Sequence, residues 1–383
     1  MKSFRVLSLV CLASVTLATP PKILAQDAVT APPADGASKF ATVVREHWAE
    51  WAGEAGVITP DRLDQLMKQR KHKGEAAAAL AALKKNINDS TTKKPITFSM
   101  KRIDDYEAAI SEHQGKKTYD KSFNKSRDLI AADPHALFAT DAPHLDSIHQ
   151  ARNGDCWLLS TIGAMIHRDK SEIGRLITDD GQNHYDVHFA YHTFKVRAPT
   201  DSEIGAYTSD KADGDWLYVM ENAVGQYRED FSKLHKVKEA NDDALVGGSG
   251  ALAFQDILGR NSDTVRMSPK EPHPDAVHKA LNRAFKERRL VIVGTTHDKT
   301  IELPHGIAYA HCMAVLGWDA KSNTVHLWNP WGNNLEPKGT GPNAGYKTVS
   351  GHFSMPLTDF VRSFAYINIE NDVPHKPTVP KRA

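Results

Sequence analysis

Apolar positions recur at helical spacing from Phe40 to about Ala132. Phe40, Val43, Val44, His47, Trp48 and Trp51 share one face, Leu63, Leu66 and Met67 begin a second helix, and the Ala-rich run from Glu75 to Leu83 makes a third. From Leu145 onward the pattern becomes mixed. Trp157-Leu158-Leu159 followed by Ile162, Met165 and Ile166 predicts a buried helix whose first turn holds Cys156. Tyr185 to Phe189 and Phe194 to Arg197 alternate as half-buried strands, and Trp216 to Tyr227 reads as a helix. Gly247-Gly248-Ser249-Gly250 breaks the chain before a helix containing Phe254 and Leu258. A helix over Val277 to Phe285 precedes the β-branched run Leu290 to Val293, and further strands are expected over Cys312 to Trp318, Val325 to Trp328 and about Ala365 to Ile369. The order predicts an α+β fold in two lobes, helical first and β-rich last, preceded by a small all-helical module.

The N-terminus changes the picture of where the chain works. Lys2 and Arg5 precede an apolar run from Val6 to Ala18, with small residues at Ala18 and Ala25, which is the pattern of a secretory signal peptide over residues 1–25. The run falls short of the roughly 20 residues a membrane span needs, and Cys11 follows Leu9-Val10 rather than a small residue, so neither a stable span nor a lipid anchor is expected. An exported protein, periplasmic or secreted, follows. Residues 26–38, rich in Ala, Pro and Asp, read as a linker, 39–133 as the helical module, 134–371 as the core, and the Pro- and Lys-rich 372–383 as a disordered tail. A net charge of +1 gives no reason to expect nucleic acid or an anionic membrane as partner.

Three places invite a ligand, and none carries the residues for one. Gly56-Val57-Ile58 has the glycine and aliphatic residue of an EF-hand loop, but Trp51, Gly53, Ala55 and Arg62 stand where calcium ligands would fall. The module therefore has the helix spacing of an EF-hand pair without its carboxylates. His184 and His188 lack ligating neighbours and read as surface residues of a hairpin, and no metal site is expected. The glycines at 247–250 lack the Lys-Ser/Thr that completes a phosphate-binding loop.

Chemistry gathers around Cys156. A thiol in the first turn of a helix sits among unpaired N–H groups at the positive end of the helix dipole, which stabilises a thiolate. A lone cysteine there is ordinarily a small core residue; its downstream companions alter that reading. His311 opens one strand and Asn329 closes the next, so an antiparallel pair brings an imidazole and an orienting amide together. Gln150, six residues before the thiol, can place its side-chain amide beside the Cys156 N–H as an oxyanion hole. His305 is a rival base in what reads as a loop. Strand alternation from His311 sends Cys312 to the opposite face, so two free thiols and no Cys156–Cys312 disulfide are expected.

Q-A-R-N-G-D-C-W-L-L at Gln150 to Leu159, His311 before C-M-A-V-L-G, and N-P-W-G at Asn329 to Gly332 together resemble the calpain family of papain-like cysteine proteases. Trp216 to Ala223, Gly247 to Gly259 and Met355 to Phe364 add to the likeness, here in an exported, bacterial-type architecture. The resemblance implies a thiol endopeptidase with a Cys156, His311 and Asn329 triad, a thioester acyl-enzyme, and protein or peptide substrates. It implies that Gly248 bonds the substrate backbone and that Trp331 shields the His311–Asn329 contact. Calcium dependence is what the resemblance allows; no cofactor is required by the residues themselves. The chain departs from the family at Ala310, where a glycine is usual, and at Asn333-Asn334-Leu335, and no counterpart of the family's C-terminal domains, including the calcium-binding one, is expected within these residues. An inactive relative serving as a binding module, or a transglutaminase-like acyltransferase with Asp in place of Asn329, are the alternatives. The position of the helical module between signal and core suggests intramolecular inhibition by a segment covering the cleft.

Overall fold

The computed structural model describes residues 38–88, 94–112, 116–139, 143–150, 154–207, 213–235, 247–268, 272–341 and 343–375. The expected signal peptide and nearly all of the linker lie outside the described residues.

The helical module opens where Ser38 caps α1 (Lys39–Ala52), its side chain accepting from the Ala41 N–H. A left-handed Gly56, at φ 65°, turns the chain into β1 (Val57–Ile58). Thr59 then caps α2 (Pro60–Met67), which has Pro60 at its first turn. After α3 (Gly74–Lys85), β2 (Phe98–Ser99) leads into α4 (Met100–Ser111), and α5 (Thr118–Ala132) follows. β1 and β2 pair antiparallel, Val57 with Ser99 and Ile58 with Phe98. Two helix–loop–helix units joined by a two-residue ladder have the connectivity of an EF-hand pair. In the first loop the guanidinium of Arg62 donates to the carbonyls of Trp51 at 3.0 Å and Glu50 at 3.1 Å. A fixed positive charge thus satisfies carbonyls of the last turn of α1, at the entrance to the loop. Calcium is accordingly expected to leave the thermal midpoint unchanged relative to chelator, as read by calorimetry; a rise saturating with calcium would place ligands elsewhere in the chain.

The rest of the chain starts with α6 (Cys156–Arg168) and α7 (Ser171–Leu176). A three-stranded antiparallel sheet follows, from β3 (Ile177–Asp179), β4 (His184–His188) and β5 (Thr193–Arg197). Next come α8 (Asp201–Tyr207), α9 (Trp216–His235) and α10 (Gly250–Leu258). Then β6 (Arg260–Arg266), α11 (Pro274–Lys286), β7 (Val291–Thr295), β8 (Cys312–Asp319), β9 (Thr324–Trp328), β10 (His352–Pro356), α12 (Leu357–Ser363) and β11 (Phe364–Pro374) complete the fold. The last six strands form one antiparallel sheet in the order β10-β9-β8-β7-β11-β6.

Period-two alternation gives this sheet two apolar faces. Ile292, Cys312, Ala314 and Leu316 join the cluster built on α6, α9 and α10. Val291, Val293, Met313 and Val315 join a second cluster with Leu281 of α11 and Phe360 of α12. Burial on both sides locks the register of β7 and β8, because a one-residue slip would exchange the two faces. The start of β8 is thereby held against the start of α6.

Two features depart from the sequence expectation. β11 continues to Pro374, past the expected start of the tail at residue 372; Pro374 aligns with Arg260, and Asp372 pairs with Arg289 at 2.8 Å. The helical module also takes in a piece of the later chain. Ile204 of α8 is buried among the module's apolar residues, and Thr200 donates to the Met67 carbonyl at 2.5 Å. Arg70 reaches the Ala198 carbonyl at 2.9 Å, Ser126 the Gly205 carbonyl at 2.9 Å, and Lys73 pairs with Asp201 at 2.6 Å.

Candidate active site

Residues Cys156 to Ile166 of α6 are all buried, so this helix is sheathed on every side and its first residue cannot drift. Its seat against the sheet requires Gly163: a Cβ there would lie 2.5 Å from the Trp328 ring. Trp328 ends β9, and Asn329 is the next residue. The close contact between α6 and β9 thus fixes the distance from the thiol to the amide.

His311 stands just before β8, not within it. Ala310 adopts a left-handed φ of 54°, the His311 N–H donates to Thr295 Oγ1 at 2.9 Å, and the Thr295 N–H returns to the His311 carbonyl at 2.9 Å. A left-handed residue beside a strand end resets the direction of the next side chain. This corrects the expectation for Cys312. As the first residue of β8 it faces α6: its N–H donates to Cys156 Sγ at 3.4 Å, and the two residues share one buried cluster. Both cysteines are buried and free.

Asn329 Oδ1 lies 2.9 Å from His311 Nε2 and also accepts the Trp331 N–H at 3.1 Å. An oxygen that accepts from a backbone amide is fixed as the acceptor face, so Nε2 carries the proton and Nδ1 is left for the thiol. The Trp331 ring packs 4.6 Å from the His311 ring at a 34° tilt. The Cys156 thiol is held well below its usual range, first by the hydrogen bond from the Cys312 thiol, then by the bond and charge of His311, against the opposing effect of burial. The same pairing raises Cys312, which keeps its proton.

Gln150 bonds through its N–H to the Pro330 carbonyl at 2.8 Å, which ties the approach to Cys156 to the N-P-W-G turn. Its Nε2 donates one hydrogen to Asp155 Oδ1 at 3.0 Å and retains a second for another acceptor. Asp155 is buried next to Glu221, and burial raises its carboxyl above the ordinary range. Gly248 lies against Trp157, where a Cβ would meet the indole at 2.4 Å. The Gly247 N–H donates to the Gly154 carbonyl at 3.2 Å, so the glycine segment runs alongside the Cys156 loop. Arg228 was not anticipated from sequence. Its guanidinium lies 5.1 Å from the Trp157 ring centroid and donates to the Gly247 carbonyl at 2.8 Å. A single arginine within a helix carries no sequence signal for such a role.

His305 lines a crevice with Asn329, Asn333 and Leu335, whereas His311 bonds Asn329 and lowers the Cys156 thiol. The arrangement therefore offers one lowered thiol at a helix N-terminus, one imidazole that favours its thiolate, and one amide fixing the imidazole. Such a set can attack a carbonyl and return a proton to a leaving group.

Comparison with known proteins shows the family. The family described as calpain family cysteine protease matches residues 104–371, a span that begins in α4. Calpain-9 of Homo sapiens is 26% identical over 267 residues, covering 59% of this chain and 36% of that protein. The calpain-1 catalytic subunit of Mus musculus is 22% identical over 285 residues, covering 67% and 39%. Calpain-5 of Caenorhabditis elegans is 24% identical over 303 residues, covering 62% and 44%. The chain spans about two-fifths of the length of these relatives. A match over well more than half of its length places the chain in the calpain family of cysteine proteases.

Proposed function

We propose that the chain is a cysteine endopeptidase of two-lobed, papain-like layout that hydrolyses peptide bonds in proteins through Cys156, His311 and Asn329. The observation that carries this reading is the buried His311 imidazole held by Asn329 Oδ1 at 2.9 Å, with His311 among the groups that lower the Cys156 thiol. Cys156 Sγ attacks the scissile carbonyl, and its N–H, with the second hydrogen of Gln150 Nε2, receives the oxyanion. Protonated His311 gives its proton to the leaving amine, leaving a thioester on Cys156. His311 then takes a proton from water, which hydrolyses the thioester and restores the thiolate. Asn329 holds the tautomer throughout, and Trp331 keeps water from that bond. Gly248 presents its backbone to an extended peptide because no side chain fits between it and Trp157.

The reaction as written needs no metal, and Arg62 with the missing carboxylates argues against calcium in the first EF-hand-like loop. Residues 1–25 support export of the protein. The contacts of the helical module with residues 198–205 favour a docked accessory role over inhibition of the cleft. An inactive binding relative is disfavoured because all four candidate residues are present, and an acyltransferase because Asn329 stands where Asp is expected. The test is hydrolysis of casein or a peptide library, in calcium and in chelator, with Cys156→Ala as control. Turnover lost in Cys156→Ala and equal in both buffers is the expected result; turnover surviving in Cys156→Ala would exclude the mechanism.

A further inference from the structure

The calpain-type chemistry uses one thiol, but the site holds two. Cys312 donates its N–H to Cys156 Sγ at 3.4 Å, and both cysteines are buried in the same cluster. On its other side the Cys312 sulfur lies 3.7 Å from the Tyr366 hydroxyl, which burial and the neighbouring sulfurs keep protonated. The two cysteines come from α6 and β8, elements locked by the shared core, so their facing is fixed by the fold and not by loop conformation. A thiolate backed by a protonated thiol is the arrangement of an oxidisable cysteine beside its resolving partner.

We propose that Cys156 and Cys312 form a hydroperoxide-responsive modification site, in which a reversible disulfide takes the nucleophile out of service and protects it from irreversible oxidation. This rests on Cys156 being the nucleophile of the proposed peptidase. In the first step the Cys156 thiolate attacks a hydroperoxide: an S–O bond forms, the O–O bond breaks, and the leaving alkoxide or hydroxide takes a proton from His311. Cys156 is then a sulfenic acid. In the second step Cys312 gives its proton to the neutral His311, and its sulfur attacks that of Cys156. The S–S bond forms, the S–O bond breaks, and the hydroxide leaves as water with the proton from His311. Two thiols are oxidised, and one hydroperoxide is reduced to an alcohol, or to water, plus water. An external dithiol reverses the bond by exchange.

A disulfide removes the thiolate and also the sulfur that donates to it, so the oxidised chain has no nucleophile. Without Cys312, the sulfenic acid has no thiol beside it and proceeds to the sulfinic state, which a dithiol does not reduce.

The test treats the full chain with a small excess of hydrogen peroxide, alkylates it under denaturing conditions, and maps Cys156 and Cys312 by mass spectrometry. The expected product is a linked Cys156–Cys312 peptide, with activity lost and then nearly all recovered in dithiothreitol. In Cys312→Ser and Cys312→Ala, each normalised to its own starting activity, recovery should fall below about a tenth, and Cys156 should be found as sulfinic acid. Sulfinic Cys156 beside alkylatable Cys312 in the unsubstituted chain would overturn the proposal, as would equal recovery with and without Cys312. The linked peptide is read without any assay of turnover. A chain that hydrolyses nothing yet forms the disulfide would defeat the peptidase reading and leave the thiol pairing standing.

Discussion

His311→Ala is expected to lower kcat/KM on a peptide substrate by about three orders of magnitude or more, and Asn329→Ala by about one to two. The difference follows from what each group does. His311 acts on the Cys156 thiol and, in the proposed reaction, supplies the proton that the leaving amine needs; no other histidine among the described residues is held by Asn329. Asn329 acts only through His311, by accepting from Nε2. Trp331 still packs on the ring when the amide is gone, so part of the orientation survives. His305→Ala should retain most of the activity, since that ring makes no hydrogen bond to the thiol or to His311. A thiol-alkylation profile against pH separates binding from chemistry. In His311→Ala the thiolate should appear at higher pH than in the unsubstituted chain, yet still below a free cysteine, because Cys312 continues to donate to it. A His311→Ala chain keeping a tenth of its kcat/KM would remove His311 from the role of base.

Much of this site was legible in the chain because its parts lie at element boundaries that the hydrophobic pattern marks. Cys156 opens an apolar helix, and Asn329 follows an alternating strand, so their places followed from periodicity alone. Cys312 departs from the expected face for a local reason. Alternation from His311 holds only if that residue belongs to β8, whereas the left-handed backbone at Ala310 puts His311 outside the strand. A positive φ at an alanine leaves no mark in a sequence. β6 was missed because R-N-S-D-T-V-R carries one aliphatic residue and lies at an edge of the sheet. β10, at the other edge, alternates in H-F-S-M-P but is short and ends in proline, which weakens its strand signal. Gln150 was expected to point at the thiol region; its bond to Asp155 depends on a buried carboxylate that composition cannot reveal. The link between residues 198–205 and the helical module joins residues 79 to 133 positions apart, beyond the reach of any periodicity.

That link sets the second large expectation: removing residues before Pro134 should destabilise the remaining chain instead of releasing its activity. In the full chain Ile204 is buried in the module's core, a contribution of about 2 to 3 kcal/mol for one aliphatic side chain. Hydrogen bonds from Arg70, Thr200 and Ser126 add about 1 kcal/mol each, and the exposed Lys73 amine paired with Asp201 adds little. Roughly 5 kcal/mol is a large share of the total stability of an ordinary domain. The family match beginning at residue 104, inside α4, likewise assigns α5 to the same unit as the site. Thermal unfolding of the truncated chain should therefore begin well below that of the full chain, with Ile204 exposed and aggregation following. Ile204→Ser in the full chain should show a smaller loss of the same kind, because it removes the apolar contact and leaves the hydrogen bonds. An inhibitory module makes the opposite demand: the truncated chain would be folded and its kcat/KM would rise severalfold. Cys156 alkylation tells the two apart without a substrate. An inhibitor that covered the cleft would slow alkylation in the full chain, and its removal would speed it; a docked scaffold would leave the rate in the full chain unhindered and, once removed, would take the fold with it.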